Sequence, residues 1–428
     1  MRGEGLAWGL AALALLLAPL FWSGNAALAL LTQAAIAALA CLSYNLLFGQ
    51  GGMLSFGHAV YTGLGCYAGV HALRAAAAGS LALPVSLVPL AAGLAGLAAA
   101  IPLGWASTRK SGTPFAMITL GLGELVAAAA LMFPSVFGGE AGVSANRVIG
   151  PAVLGVSFGP QIEVYYLCAA YALGGAALLR GFGATPLGRM LNAVRDNAER
   201  AAFVGYDPHA VRFLAFLFAG FLAGIAGGLA ALHFEIASAE TLGAHRSASW
   251  LLFAFLGGAS YFLGPVLGAL LLVFTTVQLS EWTPAWQLYL GLLFLFMVMR
   301  APQGLAGLLV QGWGRLRAGR LAGWLPMALT RAAAAAIALL GAGALVELTY
   351  RLQLQAVSGG AFRYLGLALD SGSRSDWLAA AALLLLGWAC GRLLSVRNRP
   401  DRRDQFGRDR EGKQPGCVRQ HPPSWRPR

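Results

Sequence analysis

The sequence predicts an all-α polytopic transmembrane bundle, and three observations carry that reading. The chain of 428 residues is 58% hydrophobic and only 11% charged, with a mean hydropathy of +0.67; soluble domains carry roughly 25% charged residues. Its apolar residues fall into many long runs, each suited to cross a hydrocarbon layer as a helix whose backbone groups satisfy one another. Its 57 glycines crowd into a few of those runs. Such crowding predicts interrupted or re-entrant segments beside plain spans.

Charge and cysteine usage exclude several other classes. A formal charge of +13 would suggest nucleic acid in a soluble protein. Here most Arg and Lys lie between apolar runs or in the tail, which fits positive-inside topology and no nucleic-acid partner. Cys41, Cys66, Cys168 and Cys390 lie in apolar runs and Cys417 in the tail. That spacing offers neither a metal site nor a disulfide framework, so they read as small buried hydrophobes. No H-E-x-x-H and no Asp pair at membrane depth supports an intramembrane enzyme, and no catalytic residue is assigned.

In order, residues 1–24 hold a first apolar segment, Leu6 to Trp22, behind Arg2; a cleaved signal peptide is the alternative, with Ala27-Leu28-Ala29 as cleavage site. Ala26 to Phe48 predicts the next span. Gly49 to Gly69, GQGGMLSFGHAVYTGLGCYAG, is too rich in glycine for a plain helix and predicts a broken one. Within it Gln50, Ser55, Gly57 and His58 are pathway candidates, although His58 also reads as a hydrogen-bonded packing histidine. Leu81 to Ser107 predicts a span with Pro84, Pro89 and Pro102, and Thr108-Arg109-Lys110 a cytoplasmic connection. Thr113 to Phe133 predicts another span. Its Thr119 and Glu124 are further pathway candidates, since an intramembrane carboxylate is costly, and a Glu hydrogen-bonded inside the bundle is the plainer alternative.

Ser135 to Glu163 predicts a polar external loop, and Val164 to Leu179 a return to the cytoplasm at Arg180. Next comes TPLGRMLNAVRDNAERAAFVGYDP, Thr185 to Pro208. Thr185 is a helix cap and Pro186 suits a first turn. Leu187, Met190, Leu191 and Val194 share one helical face, with Arg189, Arg195, Asp196, Glu199 and Arg200 elsewhere. Gly205 is a stop, and Asp207-Pro208 opens the next helix. The pattern predicts a short amphipathic helix facing water; by pattern alone an ordinary charged loop remains open.

Ala210 to His233 predicts an outward span and Glu235 to Arg246 a polar external loop. Trp250 to Val277, interrupted by Gly257, Gly258, Gly264, Pro265 and Gly268, reads as a weak echo of the first interruption. Parity predicts a helical hairpin here. With Trp286 to Met299 it returns Arg300, Arg315, Arg317 and Arg320 to the cytoplasm. Residues 313–396 add two apolar segments, Leu321 to Leu345 and Trp377 to Ser395. The basic tail, 397–428, has no apolar period and reads as disordered, with anionic lipid as a second option.

PLGRMLNAVRDNAERAAFVGYDPHAVRFLAF resembles the cytoplasmic coupling segment of branched-chain amino acid (Liv-type) ABC importer permeases. The glycine-rich stretch with S-x-G-H, the run around Thr119 and Glu124, Gly138 to Gly142 and APQGLAGLL after Arg300 resemble the same family. The resemblance covers about residues 25–312. It implies a permease core with a cytoplasmic coupling helix. Gly188, Arg189, Arg195, Asp196, Asn197, Glu199, Ala202 and Gly205 would contact the ATPase, and Gln50, Ser55, Gly57, His58, Thr119, Glu124, Gly257 and Gly258 would line the pathway. It further implies two ABC ATPase subunits, a second related permease, an external solute-binding protein and a place in the cell inner (plasma) membrane. The chain has no G-x-x-x-x-G-K-[ST], so ATP is used by partner subunits and no cofactor is expected here. The solute is a branched-chain amino acid or a related small polar molecule such as urea or a short amide. A self-sufficient secondary transporter or channel is the alternative function.

Overall fold

A computed structural model describes residues 2–22, 24–149, 157–317, 321–354, 361–364, 367–370 and 373–396. The expected tail, 397–428, and part of the external loop lie outside the described residues. The chain divides into two compact units, Met1–Gly314 and Arg315–Arg428.

The first unit is a helical bundle. Its elements in order are α1 (Arg2–Phe21), α2 (Asn25–Asn45), α3 (Ala59–Ala77), α4 (Val88–Ser107), α5 (Thr113–Met132), α6 (Pro134–Phe137), β1 (Val143–Ser144), α7 (Gln161–Ala184), α8 (Pro186–Asp196), α9 (Ala198–Phe203), α10 (Pro208–Phe234), β2 (Ile236–Ala237), α11 (Ala244–Gly257), α12 (Gly264–Val273), α13 (Ser280–Trp282), α14 (Trp286–Arg300) and α15 (Gly304–Arg317). Six helical stretches among the described residues are long and apolar enough to cross a membrane, or seven if Trp286–Arg300 and Gly304–Gly312, bent by 56°, make one span. The chain is thus an all-α multi-pass membrane bundle.

α2 and α10 form its centre. Buried residues make up 61% of the apolar window of the α2 span and 67% of that of α10, against 28% for α5. The close contact follows from composition. Gly220, Gly224 and Gly228 of α10 face Gly93, Gly96 and Ala92 of α4, where a larger side chain would separate the backbones. α4 begins at Val88, later than the apolar run predicts, because Pro84 and Pro89 confine the preceding residues to an extended stretch and a short 3₁₀ turn. A two-residue ladder pairs β1 with β2, Val143 opposite Ala237. Beside it Arg147 donates to the carbonyls of Phe158 (2.8 Å) and Gly159 (3.0 Å) and lies 3.8 Å from Glu235.

In the second unit α16 (Leu321–Leu354) packs on α17 (Arg374–Val396), with β3 (Ala361–Tyr364) and β4 (Leu367–Asp370) as an antiparallel hairpin between them in sequence. Gly341 and Gly387 let the two helices approach: a Cβ on Gly341 would meet Leu384 and Ala380 backbone.

Candidate functional site

The amphipathic segment folds largely as its residues dictate, but as two helices. The Thr185 hydroxyl accepts the Gly188 N–H (3.2 Å), and Pro186 occupies the first turn of α8. Leu191 and Val194 are buried, and Leu187 and Met190 pack partly buried against the core. Gly188 is buried because a Cβ there would run into the Phe182 carbonyl at the end of α7. α8 stops at Asn197, whose extended backbone (φ −158°) and side-chain oxygen cap α9 by accepting the Arg200 N–H at 3.0 Å. Gly205 has φ +94°, and the Asp207 carboxylate accepts the His209 N–H at 2.9 Å to start α10.

Arg195 stays on the exposed side of α8 and also bonds back to the bundle. Its Nη1 donates to the Gly49 carbonyl at 2.7 Å, while Nε donates to Asp196 at 3.0 Å. Its methylene stem lies over Gly52, whose φ of +63° only glycine adopts freely, and a Cβ there would sit 2.7 Å from Arg195 Cγ. Arg189 and Glu199 are exposed, as the pattern predicts, and Ala202 is exposed too.

Gly49 belongs to the first interruption. α2 continues into a π-helical turn, Leu46–Gln50, and Gly51 N–H donates to Leu46 carbonyl at 3.1 Å. π-turns inside helices occur often at functional sites. The chain then runs irregularly to α3. Phe56 N–H donates to the Thr119 hydroxyl (3.2 Å) and Ala59 N–H to the Ser247 hydroxyl (2.9 Å). Gly57 sits against the Thr119 carbonyl with no room for a side chain. Thr119 and Gly57 therefore position the interruption.

His58 is fully buried beside Ser43, with Nε2 3.0 Å from Oγ. The single Ser43 hydroxyl proton goes to the Ala219 carbonyl at 2.8 Å. His58 must then donate from Nε2, which leaves Nδ1 as a bare acceptor. Nδ1, Ser55 Oγ, Asn45 Oδ1 and Gln50 Oε1 are buried with no protein hydrogen-bond partner. Four such atoms within fourteen residues are a concentration that folded proteins avoid elsewhere.

The second interruption is the expected hairpin. α11 and α12 reverse at Gly258, with φ +113°. Gly257 lies against the Gly264 carbonyl, and Gly304 (φ +69°) against Gly258 backbone. The two interruptions meet: a Cβ on Gly49 would lie 2.5 Å from the Ala259 carbonyl oxygen. Thus Arg195, Gly49 and the Gly257–Gly258 turn form one connected series.

Glu124 stands apart from both. It is on the exposed flank of α5, where Oε1 accepts the Ala244 N–H (3.2 Å) at the start of α11. That is a cap, favoured because an anion meets a helix N-terminus. One G-x-S-x-G string exists, Gly155 to Gly159, but the Ser157 hydroxyl accepts the Gly159 N–H at 3.3 Å and serves its own loop.

The family described as the permease component of branched-chain amino acid transport systems matches residues 26–301. Two relatives are the permease proteins LivM of the high-affinity branched-chain amino acid transport systems of Escherichia coli (strain K12) and Salmonella typhimurium (strain LT2). Each is 26% identical to this chain, over 288 and 287 residues, or 62% of this chain and 66% of the relative. The match thus spans slightly less than two thirds of either relative's length. No solved structure matches.

Proposed function

The chain belongs to the branched-chain amino acid transport permease family, and we propose that it forms the translocation pathway of an ATP-driven importer for branched-chain amino acids. Members of this family are transport subunits rather than enzymes. The assembly in this reading has two ATPase subunits, a second related permease and an external solute-binding protein, set in the inner (plasma) membrane. ATP is bound and hydrolysed by the partners.

The observation that carries the reading is the form of the α8–α9 segment. One side is fastened to the bundle through Leu191, Val194 and the Arg195–Gly49 hydrogen bond. The other side presents Phe203, 90% exposed, and Val204, 75% exposed, at the end of α9. Two apolar side chains at the tip of a mixed-charge connection have no use in a loop that faces only water. They fit a groove on an ATPase subunit, and a self-sufficient transporter would have no such partner to fill.

Fully burying Phe203 at a contact is worth about 1.5–3 kcal/mol, which corresponds to roughly 10- to 150-fold in affinity. Phe203→Asp should therefore release the ATPase subunits on co-purification while the permease stays at normal abundance. Transport of leucine by the whole assembly in proteoliposomes should fall in parallel. Undiminished ATPase recovery, or a wild-type assembly that moves no branched-chain amino acid, would overturn this function.

A further inference from the structure

A cavity of about 270 Å³ lies between α2, α3, α10, α11 and α12, toward the C-terminal end of α10 and away from α8. Ligand pockets commonly measure about 300–1,000 Å³, so this one suits a ligand at the small end. Its walls separate by chemistry. Ile36 and Ala37 of α2 with Leu272 and Val273 of α12 supply an aliphatic side. The polar side carries Arg246, Trp250 and the Gln33 amide.

Arg246 is the sole charged residue lining this cavity among the described residues. It lies in the first turn of α11, with its guanidinium 5.1 Å from the centre of the Trp250 ring one turn later. That cation–π contact holds the charge on the cavity side. Trp250 is 4% exposed, and its indole N–H has no hydrogen-bond partner. A buried N–H without a partner is costly, which marks it as a group with work in another state. A guanidinium and an indole N–H are donors only. Together they call for an anion, and the opposite wall calls for an aliphatic group. The Gln33 oxygen supplies an acceptor for an ammonium. No carboxylate lines the cavity, so a second cationic group on the ligand would find no counter-charge.

A second cavity of about 490 Å³ shares Arg246, Thr241 and Thr276 with the first and is also lined by Glu240. Arg246 therefore stands where the two meet.

We propose that Arg246 and Trp250 bind the carboxylate of an aliphatic amino acid whose side chain lies against Ile36, Ala37, Leu272 and Val273. This site rests on the importer reading and narrows it. A neutral solute such as urea or a short amide brings no counter-charge to the guanidinium, and urea has nothing to lay on the aliphatic wall.

The test measures binding of tritiated leucine to the purified permease–ATPase complex without its solute-binding protein, and transport by the whole assembly. Saturable binding should be displaced by valine and by 4-methylpentanoate, which keeps the carboxylate and loses the ammonium. Leucinamide, which keeps the ammonium and loses the carboxylate, should compete more than roughly tenfold less well, as losing one member of a buried charge pair demands. Arg246→Gln should weaken leucine binding by a similar factor with ATPase co-purification intact. Trp250→Phe, which keeps the ring and removes the N–H, should weaken it less. If the assembly transports leucine but leucinamide competes as well as 4-methylpentanoate, or the wild-type complex shows no saturable binding, the site is overturned and the importer reading stands. If the assembly transports no branched-chain amino acid, the importer reading fails first. The competition series uses the wild-type protein, so a misfolded variant cannot mask the answer.

Discussion

At Gly49–His58 the helix breaks through a π-turn strung with buried polar atoms, whereas at Gly257–Gly264 two backbones touch with no side chain between them. Both interruptions are glycine-rich and they meet at Gly49 and Ala259, yet they answer force differently. A π-turn with unpaired acceptors can exchange one hydrogen-bond pattern for another at small cost. A close glycine contact has one packed arrangement, because interiors shift between discrete packings rather than deforming smoothly. In the importer reading, the first interruption would be the element that α8 moves and the second the fixed point against which it moves.

The largest expected effect strikes the fixed point. Gly257→Val places its Cβ into the Gly264 carbonyl, a backbone group that cannot rotate away. Overpacking of this kind costs about 1–3 kcal/mol or more, so the variant should fail to yield monodisperse permease in size-exclusion chromatography. A normal yield would mean that the hairpin opens easily and is no fulcrum.

Ser43→Ala acts on the other region. It strips partners from the His58 Nε2–H and lets the Ala219 carbonyl lose its hydroxyl donor. A buried group left unpaired costs about 1–3 kcal/mol. The permease should remain folded with a lowered Tm by differential scanning fluorimetry, and an unchanged Tm would show the polar cluster to be already solvated. Gly52→Ala should cost less, about 1 kcal/mol, because its neighbour is the flexible stem of Arg195. Its mark should be impaired transport at near-normal stability. The smallest effect belongs to Glu124→Gln, which weakens a cap worth about 0.3–1 kcal/mol. A Tm shift with unchanged transport is expected; abolished transport would return Glu124 to the pathway.

Much of this arrangement was legible from residues. Thr185, the four apolar positions of α8, Gly205 and Asp207 each follow local rules of capping and periodicity, and the structure obeys them. The hairpin followed from where the arginines must lie. Arg195 was not legible in the same way. It follows Val194 by one residue, so it sits at the border of the buried stripe, and only the tertiary approach of Gly49 gives its exposed guanidinium a partner on the bundle. Asn197 breaks the helix because its side chain competes for a backbone N–H, a choice that a continuous charged pattern conceals. Arg246 reads as the end of an external loop in sequence. Its position in the first turn of α11, four residues before Trp250, gives it a cavity instead. The exposed Phe203 and Val204 were masked by the charges around them.

The central claim is that α8 acts on the broken helix through Arg195. The direct measurement is leucine transported per ATP hydrolysed by the reconstituted assembly, wild type against Arg195→Ala. A charge-assisted hydrogen bond is worth about 1.5–3 kcal/mol. With Arg195 half-exposed the lower end applies, so the ratio should fall about tenfold, while ATPase co-purification and hydrolysis persist. An unchanged ratio would contradict the linkage, and loss of the ATPase subunits would make Arg195 a docking residue instead.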